Sequence, residues 1–360
     1  MYLMHITLVS GFDPSLPSAG GTRTHVEALA SFLSRSQIPH LVVTAARRWE
    51  VGNGWCGLPV RRPNSTLHFQ AALTATLSNV PIPSDSIIHA HRPDDLLPFL
   101  LCRIGGRRIC TLHGDPGRSV PARHNLFLAS VYRIGERLAL RASQKVVAVD
   151  SLTASEYASR YQWLAGRLSM IPNGVDTEIF RPMDRIKCKT EWGFSGKVLL
   201  YAGRLEPDKH VFDILNAFLS ISEPDAVLVI AGDGTQRAEI QGQAREGSVR
   251  FLGTVGRSRM PSLINASDGG VLFSEEGLSS FALETLACGV PMIGTPSGDL
   301  ARLIRSGENG YLVRSPSELG FAMRAILRES LVPNPSISET VSAYAWSEVG
   351  RKLLSVYREM

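Results

Sequence analysis

Ser274-Glu275-Glu276-Gly277-Leu278-Ser279-Ser280-Phe281-Ala282-Leu283-Glu284-Thr285-Leu286-Ala287-Cys288-Gly289-Val290-Pro291 sets two carboxylates, Glu276 and Glu284, eight positions apart. A Gly-Leu-Ser-Ser turn follows the first, and an apolar helix runs through the second. The preceding Gly269–Phe273 reads as a short buried strand, so the order is strand, small-residue loop, helix. That order presents backbone N–H groups and a helix N-terminus to an anion. Ionised carboxylates only accept hydrogen bonds, so the flanking glutamates suit hydroxyl donors rather than phosphate. A ligand carrying both phosphate and hydroxyls, such as a nucleotide sugar, answers both demands.

Outward from this stretch the second half alternates short apolar runs with helical ones. Its candidate strands are Lys197–Ala202, Ala226–Ala231, Val249–Leu252, Gly270–Phe273, Pro291–Gly294 and Gly310–Val313. The first half repeats the pattern with His5–Ser10, His40–Thr44, Ser86–His91, Arg108–His113, Lys145–Val149 and Leu168–Ile171. Thr24–Ser34 and Asn125–Ala142 carry apolar residues at helical spacing, the latter with Leu126, Leu128, Val131, Ile134, Leu138 and Ala139. Strand–helix alternation predicts an α/β protein with two doubly wound parallel sheets, Rossmann-like units facing across a cleft. The pattern breaks near Phe180-Arg181-Pro182, and the polar stretch Met183–Gly196 reads as the linker. The expected domains are 1–180 with a returning helix at 345–360, and 181–344.

At 360 residues, 44% hydrophobic and 20% charged, the chain has the composition of a soluble globular protein with room for two domains. No apolar run reaches the roughly 18 residues a membrane span needs. The start, Met1–Val9, lacks a basic leader and reads as a core strand. Five cysteines without paired spacing fit a reducing, cytosolic setting with free thiols. Residues 1–178 hold 18 Lys+Arg against 12 Asp+Glu, a balance of +6, whereas the remainder holds 20 against 21. The excess gathers at Arg103, Arg107, Arg108, Arg118, Arg123, Arg133, Arg137 and Arg141. An anionic partner, such as a lipid surface or a phosphorylated acceptor, and a merely solvated helix face explain this equally well. With aromatics at 7% and no nucleic-acid motif, nucleic acid is discounted.

Three further elements carry chemistry. Gly203-Arg204-Leu205-Glu206-Pro207-Asp208-Lys209-His210 leaves a strand end with two cations, Arg204 and Lys209, placed to clamp a diphosphate; capping charge on a surface helix is the plain alternative. Gly20-Gly21, after the first strand, allows backbone to approach a phosphate, or is a simple turn. His89-Ala90-His91 and Thr111-Leu112-His113 end two strands. A zinc set of His89, His91 and His113 is conceivable but lacks a cysteine or carboxylate framework, so a neutral histidine bonding a sugar hydroxyl or a reacting oxygen is the better reading. Ala231-Gly232-Asp233-Gly234 lacks the third glycine of a dinucleotide fingerprint, and no Walker loop is present.

In this order the elements resemble the retaining glycosyltransferases of family 4, with the GT-B fold, almost end to end. Gly20-Gly21…His25-Val26, Ile88-His89-Ala90-His91, Thr111-Leu112-His113, Pro172-Asn173-Gly174-Val175-Asp176, Gly203-Arg204-Leu205…Lys209, Phe251-Leu252-Gly253…Val255, the Glu276/Glu284 pair and Gly307-Glu308-Asn309-Gly310 carry the resemblance. It implies that Arg204 and Lys209 bind the donor diphosphate with a backbone contact from Gly21. Glu284 would hold the ribose hydroxyls, and Val255 would lie near the base. Glu276 and His113 would contact the transferred sugar, while Gly277 and the amides of Ser279, Ser280 and Phe281 support sugar and phosphate. The resemblance implies front-face transfer with the departing phosphate as base, no cofactor beyond the nucleotide-sugar co-substrate (UDP- or GDP-linked), and no divalent metal. It also implies that the final helix, Ala345–Arg358, packs on the first domain. The acceptor would be a glycan or lipid-linked hydroxyl, with the basic first domain at the inner face of a membrane as one version.

Four positions depart from the family pattern: His210 for glycine, Leu278-Ser279 for Phe-Gly, Arg302 for glutamate and Asp150 for serine. Competing readings are transfer to a soluble sugar or sugar phosphate, a catalytically silent nucleotide-sugar-binding subunit, and a sugar-nucleotide epimerase.

Overall fold

The computed structural model describes residues 4–16, 21–62, 65–114, 126–221, 223–244, 247–274 and 278–360. Its contacts divide the chain into two units, Met1–Asn173 with Ser347–Met360, and Gly174–Trp346.

In the first unit the chain runs β1 (Ile6–Val9), α1 (Gly21–Arg35), β2 (His40–Ala46), β3 (Glu50–Gly52), β4 (Trp55–Pro59), α2 (Thr66–Thr76), β5 (Ile87–Ala90), α3 (Leu97–Leu101), β6 (Arg107–Leu112), α4 (Leu126–Ala142), β7 (Lys145–Ala148), α5 (Ser151–Arg160) and β8 (Leu168–Met170). These strands form one sheet in the order β3-β4-β2-β1-β5-β6-β7-β8, parallel except for β3. The β3–β4 hairpin was absent from the sequence reading. Its signal is Asn53-Gly54: both residues have positive φ, 50° and 77°, as a two-residue turn between twisted strands requires. Val9, Val43, Ile88, Cys110 and Val146 lie in one apolar core with Phe69 and Phe99. The last helix, Trp346–Arg358, joins this unit from Ser347 onward. A Cβ on its Gly350 would come within 2.5 Å of Phe32, so only a glycine admits that approach.

One helix turns the other way from its sequence expectation. Val131, Ile134 and Leu138 of α4 are exposed, and the buried residues include Glu136, Ala139 and Leu140. Glu136 explains the rotation. Its carboxylate accepts from Tyr157 Oη at 2.6 Å, Tyr161 Oη at 2.7 Å and Arg133 at 2.9 Å. A buried carboxylate with three donors is satisfied, and holding it inward turns the apolar stripe outward.

The second unit runs α6 (Arg185–Trp192), β9 (Lys197–Ala202), α7 (Val211–Ser220), β10 (Ala226–Ala231), α8 (Arg237–Gln243), β11 (Val249–Gly253), α9 (Met260–Asn265), β12 (Gly269–Val271), α10 (Ser280–Ala287), β13 (Met292–Gly294), α11 (Leu300–Leu303), β14 (Gly310–Leu312), α12 (Pro316–Leu327) and α13 (Pro335–Glu339). Its six strands are all parallel, in the order β11-β10-β9-β12-β13-β14. The expected linker Met183–Gly196 is instead mostly α6, capped by Asp184 at its start and by left-handed Gly193 at its end. Its polar composition hides an apolar pair, Cys188 and Trp192, one helical turn apart and both buried. The units also divide at Asn173/Gly174 and Trp346/Ser347 rather than near 180 and 345. Residues 174–180 join the second unit because Val175 bridges Ala345 and Phe180 sits in the second core.

Candidate functional site

In each parallel sheet the strand order reverses beside the first strand, and loops leaving the carboxyl ends of the two strands there part to opposite faces. Such a switch point is where open α/β sheets bind ligands. In the second unit it lies between β9 and β12, which pair through Leu199 and Leu200 with Gly269 and Gly270.

The β9 loop carries Arg204 and Lys209. Tyr201 fixes its path by donating to the Arg204 carbonyl at 2.7 Å. Gly232, with φ 145°, lets the β10 loop lie directly on it: a Cβ there would stand 1.8 Å from the Gly203 carbonyl oxygen. Gly234 similarly faces the Leu205 backbone at 2.3 Å. The two glycines of Gly232-Asp233-Gly234 therefore serve loop-on-loop packing. Arg204 is half exposed and meets Asp208 at 3.3 Å, while Lys209 is 7% exposed and meets the same carboxylate at 3.4 Å. Burial pulls the Lys209 ammonium below its usual value, with Asp208 opposing and Arg204 adding to the shift. A largely buried ammonium beside a guanidinium makes this loop end an anion-attracting place, and Asp208 is one anion that it holds. His210 follows in a left-handed conformation, φ 51°, where glycine is the unstrained choice. Its ring reaches Asp213 at 3.1 Å and stands edge-on to Phe273 on the β12 side, centroids 6.2 Å apart.

After β12 come Leu272, Phe273 and Ser274; Glu276 and Gly277 lie outside the described residues. Ser279 is the N-cap of α10, and Ser280 and Phe281 open the helix. Their first-turn amides have no acceptor within the helix, as at any helix start. Glu284 is buried on α10 and receives Arg257 at 3.0 Å. Burial raises its carboxyl above the ordinary value, and the Arg257 guanidinium opposes that shift. Arg257, two residues beyond Val255, was missed in the sequence. It shared Val255's loop, but its pairing with Glu284 is tertiary. Its guanidinium also stacks 5.1 Å from the Phe180 ring centroid. Val255 packs partly buried against the second core. The structure thus joins Val255's loop to Glu284, and the Arg204/Lys209 loop to the end of β12.

In the first unit the switch point lies between β1 and β5. Gly21 begins α1, and among the described residues beyond its own helix and chain neighbours no atom lies within 4 Å of where its Cβ would be. Four imidazoles gather nearby. His113 follows β6 and stands 3.2 Å from His91, nitrogen to nitrogen. His25, from the first turns of α1, bonds Asn173 at 3.0 Å. His89 is saturated, with Tyr357 of the last helix at 2.6 Å and Thr111 at 2.7 Å. Burial holds all four neutral near pH 7, His25 at about 4 and His89 at about 3. His91 Nε2 and His113 Nδ1 have no hydrogen-bond partner among the described residues. The zinc set read from the sequence is not the one assembled, because both His89 nitrogens are engaged. One nitrogen each of His25, His91 and His113 lies within 4.8 Å of the others, a trio that could hold a zinc-type cation.

Two Rossmann-like units, with a cationic loop and a buried carboxylate at the second switch point, define the class as GT-B. The sucrose-phosphate synthase of Thermosynechococcus elongatus superposes with a TM-score of 0.82 over 99% of this chain and 98% of its own, at 21% identity. Residues 19–179 match the model described as Glycosyltransferase Family 4 and residues 196–329 that described as Glycosyl transferases group 1; the chain belongs to this family. Among curated relatives, the N-acetyl-alpha-D-glucosaminyl L-malate synthase of Bacillus anthracis is 30% identical over 67% of this chain. The match spans 64% of that relative's own length, short of two thirds. The phosphatidyl-myo-inositol mannosyltransferase of Mycobacterium leprae is 24% identical over 98% of this chain and 96% of its own.

Proposed function

We propose that this chain is a retaining glycosyltransferase that moves a sugar from a nucleotide-diphosphate sugar to an acceptor hydroxyl on a lipid-linked or membrane-associated glycan. The observation that carries this reading is that one unit holds both Lys209, buried on the β9 loop next to half-exposed Arg204, and Glu284, buried on α10 after the β12 loop. In this reading Lys209 and Arg204 hold the diphosphate and stabilise its charge as the sugar leaves. Glu284 accepts from the ribose hydroxyls, with Arg257 keeping its carboxylate in place. The first-turn amides of α10, at Ser280 and Phe281, face the phosphate side, and Val255 flanks the base. Gly277 and Glu276 keep the roles that the family pattern implies, Glu276 toward the transferred sugar. His113, a neutral imidazole, bonds a hydroxyl of that sugar. The work is positioning and leaving-group stabilisation, with no protein nucleophile and no divalent metal.

Acceptor choice divides the two relatives. One is named for a malate product and the other for a phosphatidyl-inositol. The near-complete span of the second, together with the basic first half, favours the lipid-linked version; the first supports a small soluble acceptor as the alternative. The test begins with thermal shifts under UDP, GDP, ADP and their sugar conjugates. A ligand at ~100 times its dissociation constant stabilises by about 2.7 kcal/mol. A shift with one nucleotide that is lost in Lys209→Ala, with the apo melting temperature kept, supports the reading. No shift with any nucleotide overturns it.

A further inference from the structure

Helix α4 carries an apolar stripe that is exposed among the described residues. Val131, Ile134 and Leu138 are 50%, 62% and 53% exposed. At about 100° per residue the three fall within an arc of roughly 60°. Arg141 and Arg137 lie about 20° and 60° beyond Ile134 on the same side, and both are exposed. The opposite face holds Glu136, Ala139 and Leu140, all fully buried. Glu136, the acidic residue of the described helix, is turned inward onto Tyr157 and Tyr161, so no carboxylate of α4 faces the stripe. The outward surface is therefore apolar along its crest and cationic along one flank.

From this we infer that the outer face of α4 is a membrane-docking surface, lying in the plane of an anionic lipid interface. Crest residues would enter the headgroup–acyl boundary while the arginines pair with lipid phosphates. The charge selects the occupant. A second copy of the same face would bring like charges together, whereas anionic lipid complements both parts. Among the described residues no helix is long and apolar enough to cross a membrane, so attachment through this face would be interfacial. The inference deepens the lipid-linked acceptor reading, since docking there brings the first unit to its acceptor, but it does not depend on which nucleotide the second unit binds.

The test is co-sedimentation of the full chain with phosphatidylglycerol-containing and pure phosphatidylcholine vesicles, at low and high salt. Binding to the anionic vesicles alone, weakened by salt, is expected. Arg137→Gln with Arg141→Gln should lower the partition coefficient roughly 30-fold, at about 1 kcal/mol per basic residue near the surface. Ile134→Ser with Leu138→Ser should lower it at least tenfold. All four positions are exposed, and circular dichroism with nucleotide-induced thermal shift checks each variant's fold. No vesicle binding, or binding unchanged by either pair, overturns the inference. So does sedimentation velocity showing a dimer that the Ile134/Leu138 pair dissolves. Vesicle binding without any nucleotide shift would leave the docking surface standing and remove the donor reading instead.

Discussion

Mild acid should unfold this protein, and the histidine cluster sets how much. His25 is held neutral with a value of about 4, against an ordinary 6.5. A lowered folded value means the unfolded chain takes up the proton first as pH falls. The stability His25 contributes is fully present above pH 6.5, is lost between 6.5 and about 4, and changes no further below that. The full difference is about 3 kcal/mol, with roughly 2 kcal/mol gone by pH 5. His89, held at about 3, follows the same course over a longer window, and His91 and His113 shift in the same direction. Among the described residues the rings act on one another, while Asn173, Tyr357 and Thr111 are neutral partners. Against them stand two buried carboxyls. Asp95 and Glu284 have raised values, so the native state gains their protons first and recovers some stability as pH falls. His25 and His89 alone each lose roughly 2 kcal/mol by pH 5, a large share of the ~5–15 kcal/mol total stability of a typical protein, and the two carboxyls offset part of that. Urea midpoints followed by tryptophan fluorescence from pH 7.5 to 5 measure it. His25→Gln should flatten the slope by about 1.2 kcal/mol per pH unit near pH 5.5. Stability that stays level over this range, or an unchanged slope in the variant, would refute the reasoning.

Three other outcomes are expected. Glu284→Gln keeps the shape beside Arg257 but removes the charge, and should weaken nucleotide-sugar binding about 10- to 100-fold by calorimetry, the worth of a charged hydrogen bond. His210→Val places a branched residue at φ 51° and should cost about 2 kcal/mol by urea unfolding, whereas His210→Gly should stay within about 1 kcal/mol of the parent because relief of strain offsets the lost Asp213 contact. With Arg204 and Lys209 in the proposed role of supplying the positive charge, transfer should proceed at the same rate with and without EDTA; a rate restored only by magnesium would contradict that role.

Parallel sheets are buried on both faces, so their strands are continuous apolar runs that the sequence alone announces. Lys197–Ala202 and Ala226–Ala231 were legible to the residue, as were the glycine and cation positions that follow them. The order of motifs along the chain identified the family for a related reason: several of them, such as His89-Ala90-His91, Thr111-Leu112-His113 and Gly203-Arg204, sit where a strand ends. What the sequence could not decide is which face of a helix goes inward when polar and apolar groups both have claims. In α4 the apolar spacing pointed Val131, Ile134 and Leu138 to the core, and three donors to Glu136 reversed it. In α6 a polar composition concealed Cys188 and Trp192, one turn apart. Pairings between distant residues were equally hidden: Arg257 with Glu284, His89 with Tyr357, and the substitution of His25 for His89 in the imidazole trio. Local pattern reports burial and backbone conformation, which depend on neighbours in the chain. Hydrogen-bond satisfaction of a buried polar group draws on distant partners, Tyr157 at 21 residues from Glu136 and Tyr357 at 268 residues from His89, and only the folded chain brings them together.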